Sequence, residues 1–168
     1  MSAHRTAART AAAKFEAIAR HYLPRGYTIE YRKGLSGRHY GRRMLIKAPR
    51  PVTARALYVF LHECAHAHLH ADNGRTPRHV EEMEAVQWAY AKMQKHGIPV
   101  PPSIVEREQR YVAWKIVQAE RRGAKRIDDR AREFAGDDQI SKMRLKYEKV
   151  LGKSRHPNAA NGRPKRPS

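Results

Sequence analysis

The chain carries the decapeptide Leu61-His62-Glu63-Cys64-Ala65-His66-Ala67-His68-Leu69-His70, which contains the pattern H-E-x-x-H. Successive residues of an α-helix turn by about 100°, so His62 and His66 point the same way, one turn apart. Two imidazoles in that arrangement can bind one cation. Glu63 lies about 100° from His62 and can reach a water on the metal rather than share the ligand geometry. The decapeptide therefore predicts a helix with a catalytic zinc site in which Glu63 is the general base.

The residues around the motif favour a buried helix over a surface helix that carries histidines by chance. Thr53 is a suitable N-cap, and Asp72-Asn73-Gly74 is expected to end the helix. The apolar positions of this helix are Leu57, Phe60, Leu61, Cys64, Ala65 and Leu69. Such flanks are what a site helix packed into a core requires.

A catalytic zinc takes three protein ligands and leaves one position for water, so a third ligand is needed. The next predicted helix, from about Pro77 to His96, offers Glu81, Glu82 and Glu84. On a helical wheel that starts at Val80, Glu84 lies at about 40°, inside the apolar face, whereas Glu82 at about 200° points away. A carboxylate inside an apolar face is costly unless it is paired or bound to metal. The wheel therefore favours Glu84.

Three other residues compete with Glu84 for this role. His79 follows a loop that can turn back toward the site, and it is the alternative third ligand. Asp72 stands six residues after His66, a spacing that requires a turn-forming glycine at position 69, where this chain has Leu69. His70 continues the ladder of histidines, but three ligands along one straight helix would span about 12 Å, too far for one ion. His70 is therefore expected to support a ligand or to be exposed.

The formal net charge is +19, and most of the surplus lies at the two ends of the chain. Residues 1–50 carry 12 basic and 2 acidic residues, and residues 152–168 carry 5 basic residues and no acidic ones. A basic surface attracts polyanions through a salt-dependent interaction without sequence preference. Nucleic acid bound through the basic ends is therefore a candidate partner beside a protein or peptide substrate.

Cysteine usage and hydropathy indicate the compartment. Cys64 is the only cysteine, so no disulfide can form within the chain, and the framework of a small secreted protein is excluded. No apolar run approaches the roughly 18 residues of a membrane span, and basic residues interrupt the first segment of the chain. We expect a cytoplasmic protein that is not embedded in a membrane.

The remaining pattern predicts a mostly helical α+β fold. Residues 6–22 have the spacing of a helix, and residues 27–32 and 43–47 have the composition of strands. A β-hairpin across the turn residues between Gly34 and Gly41 is the simplest join. Beyond the prolines at 99–102, the sequence predicts helices that end at Gly123 and Gly136 and a last amphipathic stretch with Ile140, Met143, Leu145, Tyr147 and Val150.

The stretch from Ala56 to Met93 resembles a gluzincin. Residues 61–67 are similar to the H-E-L-x-H-A helix of the ImmA/IrrE-type metallopeptidases of bacteria and phages, and Glu84-Ala85 is similar to the E-A pair that supplies their third ligand. The resemblance covers residues 6–98. It implies zinc ligands His62, His66 and Glu84, with Glu63 as the general base.

A second resemblance is to SprT-like proteases, which act on DNA-bound proteins. The motif followed by His79 is similar to their H-E-x-x-H-A and later histidine, and the basic ends suit DNA. We rank it second because the residues after His79 depart from the expected pattern. The sequence thus divides into a zincin-like metallopeptidase core at 1–98, a C-terminal helical extension at 99–151 and a disordered basic tail at 152–168.

A peptidase also needs a group that stabilises the developing oxyanion, and a means to hold an extended substrate. The candidate oxyanion donors are Tyr40, Tyr90, Tyr111 and His79. Residues 43–47 are expected to form an edge strand to which a peptide can add. The competing hypothesis is a nucleic-acid-binding regulatory protein with a structural or sensory metal site, but such a site has no need of Glu63.

Overall fold

The computed structural model describes residues 2–70 and 76–154, which form six α-helices and three short strands. The helices are α1 (Ser2–Tyr22), α2 (Ala54–Leu69), α3 (Arg78–Lys95), α4 (Pro102–Arg121), α5 (Asp129–Ala135) and α6 (Asp137–Ser154). The strands are β1 (Thr28–Tyr31), β2 (Arg38–Tyr40) and β3 (Leu45–Ala48). The fold is mostly helical α+β, which confirms the fold class predicted from the sequence.

The sheet differs from the predicted hairpin. Its strand order is β1-β3-β2, with β1 parallel and β2 antiparallel to β3. Ile46 pairs with Ile29 on one side and with His39 on the other. The segment between Gly34 and Gly41, interpreted as a turn, contains β2, which is too short for sequence alternation to reveal it. The expected edge strand at 43–47 is wrong because β3 is the central strand.

Helix α2 begins as the sequence predicts. The hydroxyl oxygen of Thr53 accepts a hydrogen bond from the backbone N–H of Ala56 at 3.2 Å and so caps the helix. Most of α2 is buried, and Leu57, Phe60 and Leu61 are fully inaccessible to solvent. Because α1, α3 and the sheet all pack against it, α2 is the central element of the fold.

Helix α3 is covered on two sides. Its later residues Ala89 and Met93 belong to the core that includes α1, α2 and β3, whereas Val80 and Met83 pack against α4, α5 and α6. Pro77, predicted as the first helical residue, is the residue before α3, and no side chain caps this end. Because α3 is buried on two sides, the direction in which each of its side chains points depends both on the packing against α2 and on the packing against α4 to α6.

The C-terminal helices pack onto α3 through α4 and α5. The carboxylate of Asp128 accepts hydrogen bonds from the N–H groups of Arg130 and Ala131 and so caps α5, which ends before Gly136 as the sequence predicts. Helix α6 continues to Ser154, so the predicted tail at 152–168 begins within a helix, and the rest of that tail lies outside the described residues. Asp72 also lies outside them. No helix in the described ranges is long and apolar enough to cross a bilayer.

Candidate metal centre

Three buried side chains from α2 and α3 converge on one point. Nε2 of His62 lies 3.2 Å from Nε2 of His66. Oε2 of Glu82 lies 3.4 Å from each of these nitrogens. The exposed fraction is 12% for the side chain of His62, 8% for that of His66 and 3% for that of Glu82. These residues form a group that can hold a metal ion.

The spacing of the three donor atoms fits a tetrahedral ion. Zinc bonds of about 2.1 Å separated by tetrahedral angles place neighbouring ligand atoms about 3.4 Å apart. The three measured separations, from 3.2 to 3.4 Å, match that value. Two imidazole nitrogens and one carboxylate oxygen are also a donor set that zinc uses in hydrolytic sites, and one position is left for water.

Neighbouring groups orient two of these donors. The hydroxyl group of Tyr58 lies 3.4 Å from Nδ1 of His62, on the side of the ring opposite the convergence point. Oε1 of Glu82 contacts Nε of Arg78 at 3.1 Å and accepts a hydrogen bond from the hydroxyl of Tyr111 at 3.4 Å. Such contacts fix the ring orientation of His62 and leave Oε2 of Glu82 directed at the histidines.

The three residues shift one another's pKa values because they are buried in mutual contact. Burial favours a higher pKa for Glu82, but hydrogen bonds from His62 and His66 outweigh it and hold the pKa of this carboxyl well below its usual range. Burial favours a lower pKa for His62, and here the contacts with Glu82 and Glu63 prevail and raise it. For His66 burial prevails, and its pKa is lowered.

Glu63 lies beside this group without belonging to it. Its carboxylate is buried and accepts a hydrogen bond from the backbone N–H of His39 on β2. Burial raises the pKa of Glu63 to about 7, against the lowering effect of His62. Gly37, just before β2, lies so close that a Cβ built on it would be 2.5 Å from Oε1 of Glu63. The loop before β2 therefore covers the predicted base.

Glu84, the third ligand expected from the sequence, lies elsewhere. Its carboxylate faces Nη2 of Arg130 at 3.4 Å and Nε2 of His70 at 3.9 Å, and its side chain is 31% exposed. The helical wheel treated the face around Val80 as the face toward α2, but that face packs against α4 to α6. A second buried stripe, with Ala89 and Met93, lies near 200° on the same wheel, where Glu82 stands.

His79, the alternative third ligand, is also away from the histidine pair. It is 1% exposed, and its Nε2 accepts a hydrogen bond from the backbone N–H of Asp128 at 3.3 Å. Burial lowers its pKa. It lines a separate cavity between the start of α3 and the segment before α5. His79 therefore lies away from His62 and His66, and it does not line the cavity in which an oxyanion donor is needed.

His70 lies near the site, but its ring is directed elsewhere. It is 7% exposed, and its Nε2 donates to the backbone carbonyl of Glu81 at 3.2 Å, which ties the end of α2 to α3. His70 is therefore buried rather than exposed, and it hydrogen-bonds none of the three donor residues.

The three candidate tyrosines are in different environments. Tyr111 on α4 lines the cavity above the site and reaches Glu82. Tyr90 on α3 packs against Tyr58, with ring centroids 5.6 Å apart, and its buried hydroxyl has no hydrogen-bond partner in the described part of the chain. Tyr40 lies at the end of β2 and contacts Arg38 and Lys47 through its ring. Of the three, Tyr111 alone lines this cavity.

The site lies in a cavity of about 890 Å³. One wall is the loop before β2 with β2 itself, the floor is α2 and α3, and the opposite wall is α4. Residues of α4 that line the cavity are Arg107, Glu108, Tyr111 and Lys115. The C-terminal extension, to which the sequence assigns no role, thus forms part of the site.

Comparisons with protein-family models, curated proteins and solved structures find no match for this chain. What the site can do must therefore follow from its own residues and their geometry.

Proposed function

We propose that this chain is a zinc-dependent peptidase in which His62, His66 and Glu82 bind the ion and Glu63 is the general base. The observation that carries the proposal is the tetrahedral spacing of three buried donor atoms beside a second buried carboxylate, that of Glu63, which is not one of them. A structural metal site has no use for that extra carboxylate and is usually closed by a fourth protein ligand. An open cavity above the donors favours catalysis.

When bound, Zn²⁺ would polarise the scissile carbonyl and make a water easier to deprotonate. Glu63 would take a proton from the attacking water and pass it to the nitrogen of the leaving amine. The N–H of His39 and the nearby Gly37 hold the carboxylate of Glu63 in one position. Tyr111 lines the cavity, and we assign to it the hydrogen bond to the developing oxyanion, for which its single O–H would turn from Oε1 of Glu82 to the substrate.

The strand β2 offers a place for an extended substrate. It pairs with β3 on one side and is the edge of the sheet on the other. Arg38 and His39 of β2 line the cavity, so a peptide that adds to this edge would lie along the site. This role, expected for residues 43–47, therefore passes to residues 38–40.

The gluzincin resemblance keeps its general form in this proposal, because α3 supplies a glutamate as the third ligand. That glutamate is two residues earlier than the E-A pair on which the resemblance was based. The SprT-like alternative loses its third ligand, since His79 contacts Asp128 instead. Both resemblances imply a peptidase, but only the gluzincin resemblance, with a glutamate of α3 as the third ligand, is supported by the geometry of the site.

The experiment that tests this function measures metal content and peptide hydrolysis in two proteins. Wild-type protein, purified without an affinity tag that binds metals, should contain one zinc per chain and hydrolyse peptide bonds in a mixture of unfolded proteins. Glu63→Gln should keep the zinc and lose hydrolysis, because it removes the base but no ligand. Cleavage is followed by mass spectrometry, which also identifies the bonds.

Two results would overturn the proposal. A wild-type protein that binds no zinc would remove the basis of the site. A zinc-loaded wild type and a zinc-loaded Glu63→Gln variant that cleave at the same rate would show that Glu63 is not the base and that the hydrolysis arises elsewhere.

A further inference from the structure

The cavity above the metal-binding group is rich in cationic side chains from both walls. They are Arg38, Arg42, Arg78, Arg107 and Lys115. The carboxylates that line the same cavity are Glu63, Glu81, Glu82 and Glu108. The balance therefore depends on which of these charges are already paired with each other.

Two of the cations are paired within the protein. Arg78 contacts Glu81 at 2.8 Å through Nη1 and Glu82 at 3.1 Å through Nε. Arg107 contacts Oε1 of Glu108 at 2.6 Å through Nη2. These contacts account for three of the four cavity carboxylates. The fourth, Glu63, accepts a backbone hydrogen bond and is covered by Gly37.

The other three cations are free of such pairing. Within residues 2–70 and 76–154, Arg38, Arg42 and Lys115 form no ion pair with a carboxylate. Arg38 lies over the ring of Tyr40 at 5.9 Å, and Lys115 lies over the ring of Tyr111 at 4.8 Å, contacts that leave their N–H groups available. A divalent ion on the three buried donors would add to the positive charge.

These cations come from separate elements that line the same cavity. Arg38 is on the edge strand β2, Arg42 is in the short 3-10 helix Gly41–Arg43 that follows, and Lys115 is on α4 in the opposite wall. A peptide added to β2 would therefore pass between cationic groups on both sides. Unpaired charges of one sign on the walls of a cleft attract the opposite charge and disfavour the same charge.

We propose that this cavity selects protein segments that carry aspartate or glutamate beside the bond to be cleaved, with Arg38, Arg42 and Lys115 as the residues that determine specificity. This substrate class rests on the peptidase function proposed above. A carboxylate side chain fits arginine particularly well, because the guanidinium fork can bind both oxygens.

The first experiment measures binding and does not depend on hydrolysis. Three fluorescent peptides of equal length, with glutamate, glutamine or lysine at the positions flanking one central bond, are titrated into zinc-loaded Glu63→Gln protein. The glutamate peptide should bind about tenfold more tightly than the glutamine peptide, and the lysine peptide should bind most weakly. The preference should shrink as NaCl rises from about 50 to about 200 mM, because exposed charges are screened.

A matched pair of variants locates the preference. Arg42→Gln should reduce the difference between glutamate and glutamine peptides by about twofold, and Arg38→Gln and Lys115→Gln should do the same. Arg43→Gln is the control, since Arg43 follows Arg42 in the same short helix but does not line the cavity. Arg43→Gln should leave the preference unchanged.

The outcomes separate this proposal from the proposed function. Equal binding of the three peptides, or an equal effect of Arg42→Gln and Arg43→Gln, would overturn the acidic specificity even if wild type hydrolyses peptides. A preference for glutamate in a protein that never cleaves would keep the binding site and refute the peptidase. If a DNA duplex of about 20 base pairs displaces the glutamate peptide and binds more tightly, the cations serve nucleic acid, and the proposal falls.

Discussion

Gly37 lies directly against the carboxylate of Glu63, so closely that a Cβ at this position would be 2.8 Å from Cδ and 2.5 Å from Oε1. Contacts under 3.0 Å require one partner to move. Gly37→Ala should therefore push Glu63 out of position and lower kcat, by roughly 100-fold if general base catalysis is lost. Zinc content should not change, because no ligand is touched.

The control for this variant is Gly34→Asn in the same loop. Gly34 has a φ of +83°, where any side chain adds strain, so the replacement is asparagine, which adopts positive φ more readily than most residues, and nothing lies within 4 Å of a Cβ built there. It should retain wild-type kcat. A Gly37→Ala protein with unchanged kcat would mean that the loop before β2 moves aside without affecting the base.

Glu82 and Glu84 provide a matched test of the third ligand. Glu82→Gln should lower zinc affinity by more than about 100-fold, because it removes a charged ligand. Loss of a residue that only supports a ligand already costs about 10- to 100-fold. Glu84→Gln should bind zinc as wild type does, because Glu84 contacts Arg130 and His70 instead. Competition with a chromogenic chelator measures both affinities. The reverse order would show that α3 binds the ion through a different face.

Tyr111 and Tyr90 should respond differently to loss of the hydroxyl group. Tyr111→Phe should reduce kcat of the zinc-saturated protein by about 100-fold, the usual effect of removing one oxyanion donor, and should weaken zinc binding by about tenfold because it also removes the contact with Glu82. Tyr90→Phe should leave kcat unchanged and raise the free energy of unfolding by about 1 kcal/mol, because it removes a buried hydroxyl that has no partner among the described residues. Steady-state kinetics and urea unfolding check the two outcomes, and a loss of kcat in Tyr90→Phe alone would reverse the assignment.

The ion pair between Glu120 and Arg144 should make stability depend on pH. Nη2 of Arg144 lies 2.6 Å from Oε1 of Glu120, and this hydrogen bond, outweighing partial burial, lowers the pKa of Glu120 from its ordinary value of 4.5. A lowered pKa in the folded state stabilises the protein above 4.5, and the contribution is lost as the pH falls through the lowered value.

Glu120→Gln should therefore cost about 0.5 kcal/mol of unfolding free energy near pH 7, a magnitude typical of an exposed ion pair, and a smaller amount at pH 3. Glu133→Gln is the control, because Glu133 on α5 forms no ion pair in the described ranges. Urea unfolding at the two pH values measures the difference. Equal costs at both values would show that the pair does not link α4 to α6.

The local sequence determined the helix with the site histidines. Helical spacing places His62 and His66 on one face whatever surrounds them, and Thr53 caps the helix through a contact with Ala56, only three residues away. The ends of α1 and α5 follow in the same way from spacing and from the residues that stop a helix, whereas α1 begins at Ser2, before the predicted start at residue 6. Contacts of this kind lie within one turn of a helix, so the sequence alone contains them.

The tertiary structure alone decided which residues complete the site. Glu82 rather than Glu84 faces the histidines because α3 is buried on two sides, and a helical wheel cannot tell the side that meets α2 from the side that meets α4. Likewise β2, which covers Glu63, is only three residues long and exists through its pairing with β3. Such choices depend on contacts between segments far apart in the chain, and no local pattern records them.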